Sequence, residues 1–454
     1  MKIQMPASVK AVLDMLHTNG YEAYAVGGCV RDSILGRTPD DWDITTSALP
    51  EQVKAIFRKT VDTGIQHGTV TVLMGGGAHE VTTYRIDGEY RDGRHPEGVT
   101  FTRSLSEDLK RRDFTINAMA YNDREGLVDL HDGLADLTRK QIRCVGDPME
   151  RFSEDALRIM RAIRFSAQLN FRIEAETLNA VRTLAPTLAK ISAERICTEL
   201  LKLIRSGHPE YLELAYETGV TAVFLPEFDR TMVTPQNTPH HCYSVGRHIL
   251  KSMQEVPADR VLRLTMLLHD IGKPDYRTTD ETGRDHFKRH PEGSALLAKQ
   301  ILRRLKLDND TIDRVTLLVL YHDWRVLPEK KAVRRAMARL GADIYPLLLK
   351  VQWADTLAQS EYRREEKLAR IRENERLMQE ILEEEDCISL KDLAVSGKDL
   401  IAAGIPAGPE IGRILQALLE LVLEEPSRNR RDLLLSCAEE LISARDGRDG
   451  QEKS

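Results

Sequence analysis

The sequence predicts an α+β fold in which a small mixed β-sheet head precedes a long helical body. In about the first 120 residues, the segments EAYAVGG, GTVTVLMG and HEVTTYR are rich in valine, threonine and tyrosine and are broken by glycines. That composition is typical of short strands. After about Leu127, apolar residues recur with the helical period instead, as in DALRIMRAIRFSAQL and RICTELLKLI.

Local signals divide the chain further. A helix is expected from about Ser47 to Lys59, between the strand-like segments. The loop MVTPQNTPHH indicates a boundary near residues 230–240. The polar stretch SEYRREEKLARIRENERLMQEILEEE predicts a long exposed helix that leads into a last small domain. We therefore expect four domains, which are residues 1–126, 127–230, 231–358 and 359–454.

Composition excludes some classes of protein. No run of about 18 apolar residues occurs, so a membrane-spanning helix is not expected. The six cysteines are scattered without a CxxC pair, which favours a reducing, cytoplasmic environment. The formal net charge of −6 argues at first against a nucleic-acid partner. Because one basic surface is enough for such binding, whole-chain charge does not decide the matter.

The densest group of chemically useful residues lies in the head. Two glycines, Gly27 and Gly28, follow a strand-like run and let backbone N–H groups approach a phosphate closely. If the following Asp-Trp-Asp triplet lies on a strand, Asp41 and Asp43 project to one face while Trp42 turns away. Paired carboxylates of this kind suit Mg²⁺, which binds substrate phosphates. A solvated acidic loop is the alternative interpretation of the triplet alone.

Two later segments add to this group. Glu80 in HEVTTYR supplies a third carboxylate on a strand that could pair beside the triplet. The arginines of Arg111-Arg112-Asp113-Phe114 are able to neutralise a triphosphate. Asp113 and Asn117, four residues apart, would hold a ribose if they share a helical face. Taken alone, an Arg-Arg-Asp cluster is usually surface charge.

In combination, GGxxRD, DxD, the glutamate of EVTT and RRDFTINA resemble the polymerase-beta-like nucleotidyltransferase superfamily. More narrowly, they resemble the bacterial class II group of CCA-adding enzymes and poly(A) polymerases. The resemblance implies a nucleotidyltransferase head, a helical body and a helical tail. It implies Asp41, Asp43 and Glu80 as catalytic carboxylates, with Mg²⁺ on the two aspartates. The nucleotide-binding residues that we expect are Gly27, Gly28, Arg31, Arg111, Arg112, Asp113, Asn117, Asp155, Arg158 and Arg161.

A separate motif predicts how bases are selected. In RFSEDALRIMRAIRF, Asp155 and Arg158 lie three residues apart at the expected start of a helix, where a simple ion pair is the alternative interpretation. A carboxylate and a guanidinium together match the amine and ring nitrogen of cytosine and adenine. The run resembles the EDxxR motif with which class II enzymes select CTP and ATP. Residues Glu194 and Arg195 could support it, and DGEYRDGRH at 87–95 resembles the flexible lever of full CCA-adding enzymes.

The region after residue 240 predicts a second metal site. His269 and Asp270 form an HD dipeptide in LLHDIGKP, with His248 upstream and Asp355 downstream. That order resembles the HD superfamily of metal-dependent phosphohydrolases, in which these four residues would ligate Mn²⁺, Ni²⁺ or Mg²⁺. His290 and His322 could contact a second metal or a phosphate. A buried histidine satisfied by its neighbour is the alternative interpretation of the dipeptide. A scaffold role is the alternative to hydrolysis for the whole region.

The function that the sequence predicts is template-independent addition of C, C and A to the 3′ end of tRNA, with CTP and ATP as substrates and pyrophosphate as product. The tRNA 3′ end and acceptor stem would be the partner. The segment SGKDLIAAGIPAGPEIGRIL resembles the tail segment of the same group, and this resemblance implies that the tail would grip the tRNA elbow. Poly(A) polymerase or A-adding activity remains an alternative within the same chemistry. An HD phosphohydrolase acting on RNA ends is the alternative from another class. The oligomeric state is left open.

Overall fold

The computed structural model describes residues 2–88 and 99–451. The chain divides into two compact units. The first comprises residues 1–229 together with 304–307, and the second comprises residues 230–303 and 308–454. Among the described residues, none of the helices combines the length and apolar character that crossing a bilayer requires.

The first unit contains all strands of the main sheet. Its strands are β1 (Ala23–Val26), β2 (Ile44–Thr46), β3 (Thr60–Gly64), β4 (Thr69–Met74), β5 (Gly77–Thr83), β6 (Arg85–Asp87), β7 (Val99–Phe101), β8 (Met119–Asn122), β9 (Gly126–Asp129), β10 (Gln141–Ile142) and β11 (Arg172–Ile173). Its helices are α1 (Ala7–Thr18), α2 (Gly28–Ile34), α3 (Pro50–Ile56), α4 (Leu105–Lys110), α5 (Gly133–Arg139), α6 (Pro148–Glu154), α7 (Leu157–Leu169), α8 (Ala175–Leu184), α9 (Ala193–Ile204), α10 (Leu212–Glu217), α11 (Thr221–Phe224) and α12 (Pro226–Met232), of which α12 runs into the second unit. Short 3₁₀ turns cover Ile65–His67, Thr115–Asn117, Ala185–Lys190 and Pro209–Tyr211.

Seven of the described strands form one mixed sheet in the order β3-β4-β5-β2-β1-β8-β9. Strands β2 and β5 are parallel, with Ile44 opposite Val81, and the other neighbours are antiparallel. All three residues of β2 are buried, which is expected for a strand near the middle of a sheet. Because β2 and β5 are parallel, their amino-terminal ends point to the same edge of the sheet. This edge carries the site described below.

The second unit is almost entirely helical. Its helices are α13 (Val245–Gln254), α14 (Arg260–Leu268), α15 (Lys273–Tyr276), α16 (His290–Arg304), α17 (Asn309–Tyr321), α18 (Lys330–Leu340), α19 (Tyr345–Leu357), α20 (Arg364–Glu383), α21 (Gly397–Ala402), α22 (Pro409–Glu424) and α23 (Arg431–Gln451). A 3₁₀ turn covers Pro426–Arg428, and β12 (Thr278–Thr279) pairs with β13 (Asp285–His286). One core cluster packs α18, α19 and α20 together, and a second one packs α21, α22 and α23.

The predicted α+β class, a sheet-containing head followed by a mostly helical body, is confirmed. Two elements differ from expectation. Helix α3 is shorter than the predicted span, since it begins at Pro50 and ends at Ile56. Helix α20 is not exposed all round, because Leu368, Ile371 and Ile381 on one face are buried. The many charged residues of α20 led to the prediction of an exposed helix, but its apolar residues form a regular stripe. Such a stripe is the usual pattern of a helix that packs on a core.

Most residues of the predicted lever lie outside the described part of the chain. Of residues 87–95, only Asp87 and Gly88 belong to the described part of the chain. Strands β6 and β7 flank the segment and pair with each other, with Asp87 opposite Val99.

Candidate functional site

Three carboxylates lie together at the edge of the head sheet. Asp41 and Asp43 precede β2 rather than lying on it, so the conditional strand placement of the triplet is wrong. The predicted alternation nevertheless holds, because Asp41 and Asp43 are exposed while Trp42 is half-buried. Since Ile44 is the parallel partner of Val81, the residues just before them, Asp43 and Glu80, lie side by side. Partial desolvation and the negative charges of Asp41 and Glu80 raise the pKa of Asp43 to about 6.

The glycine pair brings a guanidinium against the same edge. Gly27 has a φ of +83°, a conformation that L side chains rarely adopt. A Cβ at this position would lie 3.1 Å from Nη1 of Arg112. Gly27 therefore serves two purposes, which are the turn from β1 into α2 and the close approach of Arg112.

A hydrogen-bonded chain runs from α2 to α7. Arg31 donates to Oδ1 of Asn117 at 2.6 Å, and Asn117 donates to Oδ1 of Asp113 at 3.2 Å. Arg161 then donates to Oδ2 of Asp113 at 2.7 Å. Asp113 and Asn117 do not share a helical face as expected, because Asp113 precedes the 3₁₀ turn Thr115–Asn117. They are linked instead by a direct side-chain hydrogen bond.

The arginine pair is held by a buried carboxylate that the sequence analysis did not single out. Asp108 is fully buried and accepts from Arg111 at 2.8 and 3.0 Å and from Arg112 at 3.4 Å. The hydroxyl of Thr45 on β2 donates to it at 3.1 Å. Burial alone would raise the pKa of Asp108, but the two guanidiniums outweigh burial and lower it. The spacing i, i+3 and i+4 to the arginines was the available signal.

The expected helix start around residue 155 is in fact a helix break. Helix α6 ends at Glu154, Asp155 is extended, and α7 begins at Leu157. Asp155 and Arg158 are not paired in the structure as the simple ion-pair alternative would have them. Arg158 donates to Glu154 at 2.6 Å, and Arg195 of α9 donates to Asp155 at 2.8 Å.

The separated pair faces a shared pocket. It has a volume of about 270 Å³. Its lining residues are Arg111, Arg112, Asp113, Asp155, Leu157, Arg158, Arg161 and Arg195. The pocket thus joins the arginine pair of the head to the predicted base-selecting residues. Gly27, Gly28, Arg31 and Asn117 are not in its lining, and neither are the three carboxylates.

A second constellation lies in the other unit. Four buried histidines each direct Nδ1 to a backbone carbonyl, namely His248 to Ala358, His269 to Met266, His290 to Phe287 and His322 to Val319. Such bonds orient metal-ligating imidazoles from behind. They leave all four Nε2 atoms free to converge on the two carboxylates, Asp270 and Asp355.

The convergence forms two overlapping sets of three ligands. His248, His269 and Asp270 form one set, and Asp270, His290 and His322 form the other, with the donor atoms of each set within 4.8 Å of one another. Asp355 lies 2.9 Å from Nε2 of His248. Nε2 atoms approach each other to 3.2 Å in His248–His269 and in His290–His322. Two imidazole lone pairs at this distance are stabilised by a cation between or beside them.

The electrostatic surroundings differ within the cluster, because burial lowers the pKa of His290 whereas the carboxylates dominate at His269. Burial would lower the pKa of His269, but Asp270 and Asp355 outweigh it and raise the value to about 10. A raised imidazole pKa means that the surroundings favour positive charge. The donor set of imidazoles and carboxylates fits a divalent transition metal or Mg²⁺.

Comparison with known proteins decides the family. The CCA-adding enzyme of Levilactobacillus brevis is 37% identical over 432 residues, which cover 94% of this chain and 96% of that protein. The CCA-adding enzyme of Leuconostoc mesenteroides is 37% identical over 435 residues, which cover 95% and 96%. The crystal structure of the Bacillus stearothermophilus CCA-adding enzyme in complex with CTP has a TM-score of 0.75 and 31% identity, with coverage of 98% of this chain and all of that one. This chain belongs to the CCA-adding enzyme family.

Family models match parts of the chain separately. The model described as "Poly A polymerase head domain" matches residues 23–143, and "Probable RNA and SrmB- binding site of polymerase A" matches residues 170–232. A tRNA nucleotidyltransferase domain 2 model matches residues 293–438. Membership of the CCA-adding enzymes, predicted from the head motifs, is confirmed, and the chain is a nucleotidyltransferase. Enzymes of this class use a divalent metal.

The structure adds detail on residues around both sites. Lys273 of α15 is buried and lies 2.7 Å from Oδ2 of Asp270, and it also donates to Gln236. Ser244 caps α13 by accepting from the backbone N–H of Arg247. Glu194, expected to support base selection, is exposed and does not line the pocket, whereas Arg195 does.

Proposed function

We propose that this chain adds C, C and A to the 3′ end of tRNA from CTP and ATP without a nucleic-acid template and releases pyrophosphate. The observation that carries the proposal is the pocket in which the head arginines meet Asp155 and Arg158. It lets one bound nucleotide contact phosphate-binding and base-reading groups at once. Named CCA-adding enzymes are 37% identical to this chain over alignments that cover more than 90% of it. This similarity favours CCA addition over A-only or poly(A) addition.

The three carboxylates are assigned the catalytic role. Asp41, Asp43 and Glu80 are exposed neighbours at one sheet edge, and their mutual repulsion fits a site built for cations. Mg²⁺ held by Asp41 and Asp43 would help to activate the attacking RNA hydroxyl and to stabilise the leaving pyrophosphate. Arg111 and Arg112 are oriented by Asp108 at the wall of this pocket, where their guanidiniums would bind a triphosphate.

Arg31, Asn117, Asp113 and Arg161 are assigned a supporting role in nucleotide binding. Each already forms a hydrogen bond to the next, so their side chains have fixed positions. This chain connects the glycine turn to α7, which carries Arg158. We infer that it keeps the triphosphate site and the base pocket in register.

Base selection is assigned to Asp155 and Arg158. Because Arg195 holds one and Glu154 holds the other, the two side chains stay separated and a base edge can enter between them. Cytosine and adenine offer an amine to the carboxylate and a ring nitrogen to the guanidinium. With guanine or uracil, a donor would face the guanidinium and an acceptor would face the carboxylate. These unpaired groups would cost binding free energy in a confined pocket.

The remaining assignments follow from the activity. We assign residues 1–126 to the catalytic head, 127–230 to the nucleotide-selecting and RNA-binding body, 231–358 to the HD region and 359–454 to the tail. The tRNA 3′ end and acceptor stem would be bound by the head and body. Substrates of this kind and six free cysteines suit a cytoplasmic enzyme.

The test uses purified protein, Mg²⁺, radiolabelled nucleotides and tRNA transcripts that end at the discriminator base, at C or at CC. Ordered addition of C, C and A followed by a stop is the expected result. Asp43→Ala should abolish it, whereas Asp40→Ala, which removes an exposed neighbouring acid, should not. Extension of the CC-ended transcript alone would instead identify an A-adding enzyme.

A second candidate function is hydrolysis of phosphoesters at the histidine cluster. The observation that favours it is the convergence of four Nε2 atoms and two carboxylates, with every Nδ1 already bonded to a carbonyl. A divalent metal bound there would act as a Lewis acid toward a phosphoester. Lys273 beside Asp270 would fix that carboxylate in its ligating position.

Titration calorimetry with Mn²⁺ tests this second function. His248→Ala and Asp355→Asn should weaken Mn²⁺ binding about tenfold or more and leave CCA addition unchanged. His286→Ala is the control, because the imidazole of His286 pairs with Asp280 at 2.7 Å and belongs to neither ligand set. Equal Mn²⁺ affinity in all four proteins would refute the metal assignment.

A further inference from the structure

A large cavity borders the histidine cluster. Its volume is about 510 Å³, which is in the range of pockets that hold whole small molecules rather than a single phosphate. Asp270, His290, His322 and Asp355 of the cluster contribute to its wall. Unlike a typical small-molecule pocket, its lining is dominated by ionic and polar side chains, and Phe287 and Pro291 are the apolar exceptions.

Cations outnumber uncommitted acids in this lining. The cations are Lys273, Arg284, Lys288, Arg289, Arg325 and Lys367. Among the acids, Asp270 and Asp355 belong to the cluster, and Asp285 is paired with Arg277 at 3.0 Å. Only Glu292 and Asp323 then remain, and Asp323 lies 3.5 Å from Arg325. The wall is therefore suited to a ligand that carries several negative charges.

Three of these cations lack a bonded partner among the described residues. In the described part of the chain, the side chains of Arg284, Lys288 and Arg289 form neither a hydrogen bond nor an ion pair. All three are exposed and lie within six residues of one another, next to His290 of the cluster. Positive charges on nearby residues repel one another, and a bound multivalent anion would reduce this repulsion.

The backbone at Arg289 supplies an independent observation. This residue has a φ of +65°, the left-handed conformation that costs a non-glycine residue free energy. Glycine would adopt it without that cost. An arginine at a strained position directly before a cluster histidine is explained if its side chain binds a ligand.

We propose that this cavity binds a phosphoester that bears at least one further phosphate group besides the one presented to the histidine cluster. Arg284, Lys288 and Arg289 would hold the further phosphate. The inference rests on the proposed phosphohydrolase function for its reacting phosphate, but the binding of the further phosphate can be measured by itself. Two sources share this chemistry, which are the 3′-phosphorylated end of an RNA strand and a free nucleoside bisphosphate.

Binding is tested by titration calorimetry on the full chain with Mn²⁺ present. The probes are guanosine 3′-monophosphate, guanosine 3′,5′-bisphosphate and an RNA pentamer with a 3′-phosphate. Guanosine is used because the proposed base pocket of the head disfavours guanine. The expected result is that the bisphosphate binds at least tenfold more tightly than the monophosphate.

Arg289→Gly is the decisive variant. It should reduce the preference for the bisphosphate by about tenfold without lowering Tm, because glycine relieves the left-handed backbone. Lys306→Gly is the matched control, since Lys306 is also an exposed cation with positive φ, at +61°, and does not line the cavity. Lys288→Gln should act like Arg289→Gly, and Lys306→Gly should change neither preference nor Tm.

The outcomes separate the two claims. Equal affinity for mono- and bisphosphate, or a preference that Arg289→Gly and Lys288→Gln leave intact, would overturn the inference. Absence of hydrolysis with the preference still present would refute the phosphohydrolase function alone. Tighter binding of the RNA pentamer than of the bisphosphate would identify a strand end as the source, and the reverse order would identify a free nucleotide.

Discussion

Replacing Asp108 with asparagine should separate nucleotide binding from the rest of the reaction. The carboxylate is fully buried and is the common partner of Arg111 and Arg112. Asparagine keeps its size and an acceptor for Thr45 but removes the charge. Both guanidiniums would then lose the group that fixes their direction, so the KM for CTP and for ATP should rise at least tenfold.

The expected loss of stability follows from the exposure of the three groups. Removing one partner of a fully buried ion pair costs about 3–5 kcal/mol. Here the side chains of Arg111 and Arg112 are 17% and 19% exposed, so water can compensate them in part. We therefore expect the first unit to lose about 2–3 kcal/mol. Trp42 is the tryptophan of that unit, so its fluorescence reports urea unfolding once Trp324 and Trp353 are replaced by phenylalanine.

The control is Asp136→Asn. Asp136 is equally buried in the same unit, where it accepts from Thr115 at 2.6 Å and from Arg143 at 2.9 Å. It should cost a similar amount of stability and leave the KM for nucleotides unchanged. If the two variants raise KM equally, the effect is one of general destabilisation, and the positioning role of Asp108 is refuted.

Three other substitutions test neighbouring parts of the site. Burial opposes ionisation of Asp113, but its basic partners lower the pKa from 3.8 to about 2. Because the folded pKa is depressed, Asp113→Asn should cost about 2 kcal/mol at pH 7, and the difference in urea stability should vanish as pH falls from 4 to 2. Arg195→Gln should raise misincorporation of UTP and GTP about tenfold in single-nucleotide assays, whereas exposed Glu194→Gln should not. Gly27→Ala and Gly20→Ala both force alanine into positive φ and should each cost about 1 kcal/mol, yet only Gly27→Ala should raise the KM for CTP.

The sequence predicted the head well because its signals are local. Runs rich in valine, threonine and tyrosine identify β1, β4 and β5. Strands β1 and β4 lie within the expected runs, whereas β5 begins two residues before its run, at Gly77. Local signals were less informative where packing decides. The span of α3 was overestimated because its flanking residues are compatible with a helix, whereas the chain turns at Phe57 into the edge strand β3.

The site was predicted as a set of residue types more than as a set of contacts. Asp43 and Glu80 were expected near each other, but only the parallel pairing of β2 with β5 fixes them side by side. That pairing joins segments almost 40 residues apart, so it depends on the whole sheet rather than on either segment. Asp108 was overlooked because an acidic residue in a charged run reads as solvated, and only its burial reveals that it organises the arginines.

The break between α6 and α7 shows why spacing alone misjudged the geometry of the proposed base-reading pair, Asp155 and Arg158. Three residues apart on a continuous helix, Asp155 and Arg158 would neutralise each other and leave little for a nucleotide. With Asp155 extended, each side chain is instead held by a third residue. The proposed acceptance of two different bases calls for a carboxylate and a guanidinium that are ordered but not bonded to each other. The helix break supplies this arrangement, and a continuous helix could not.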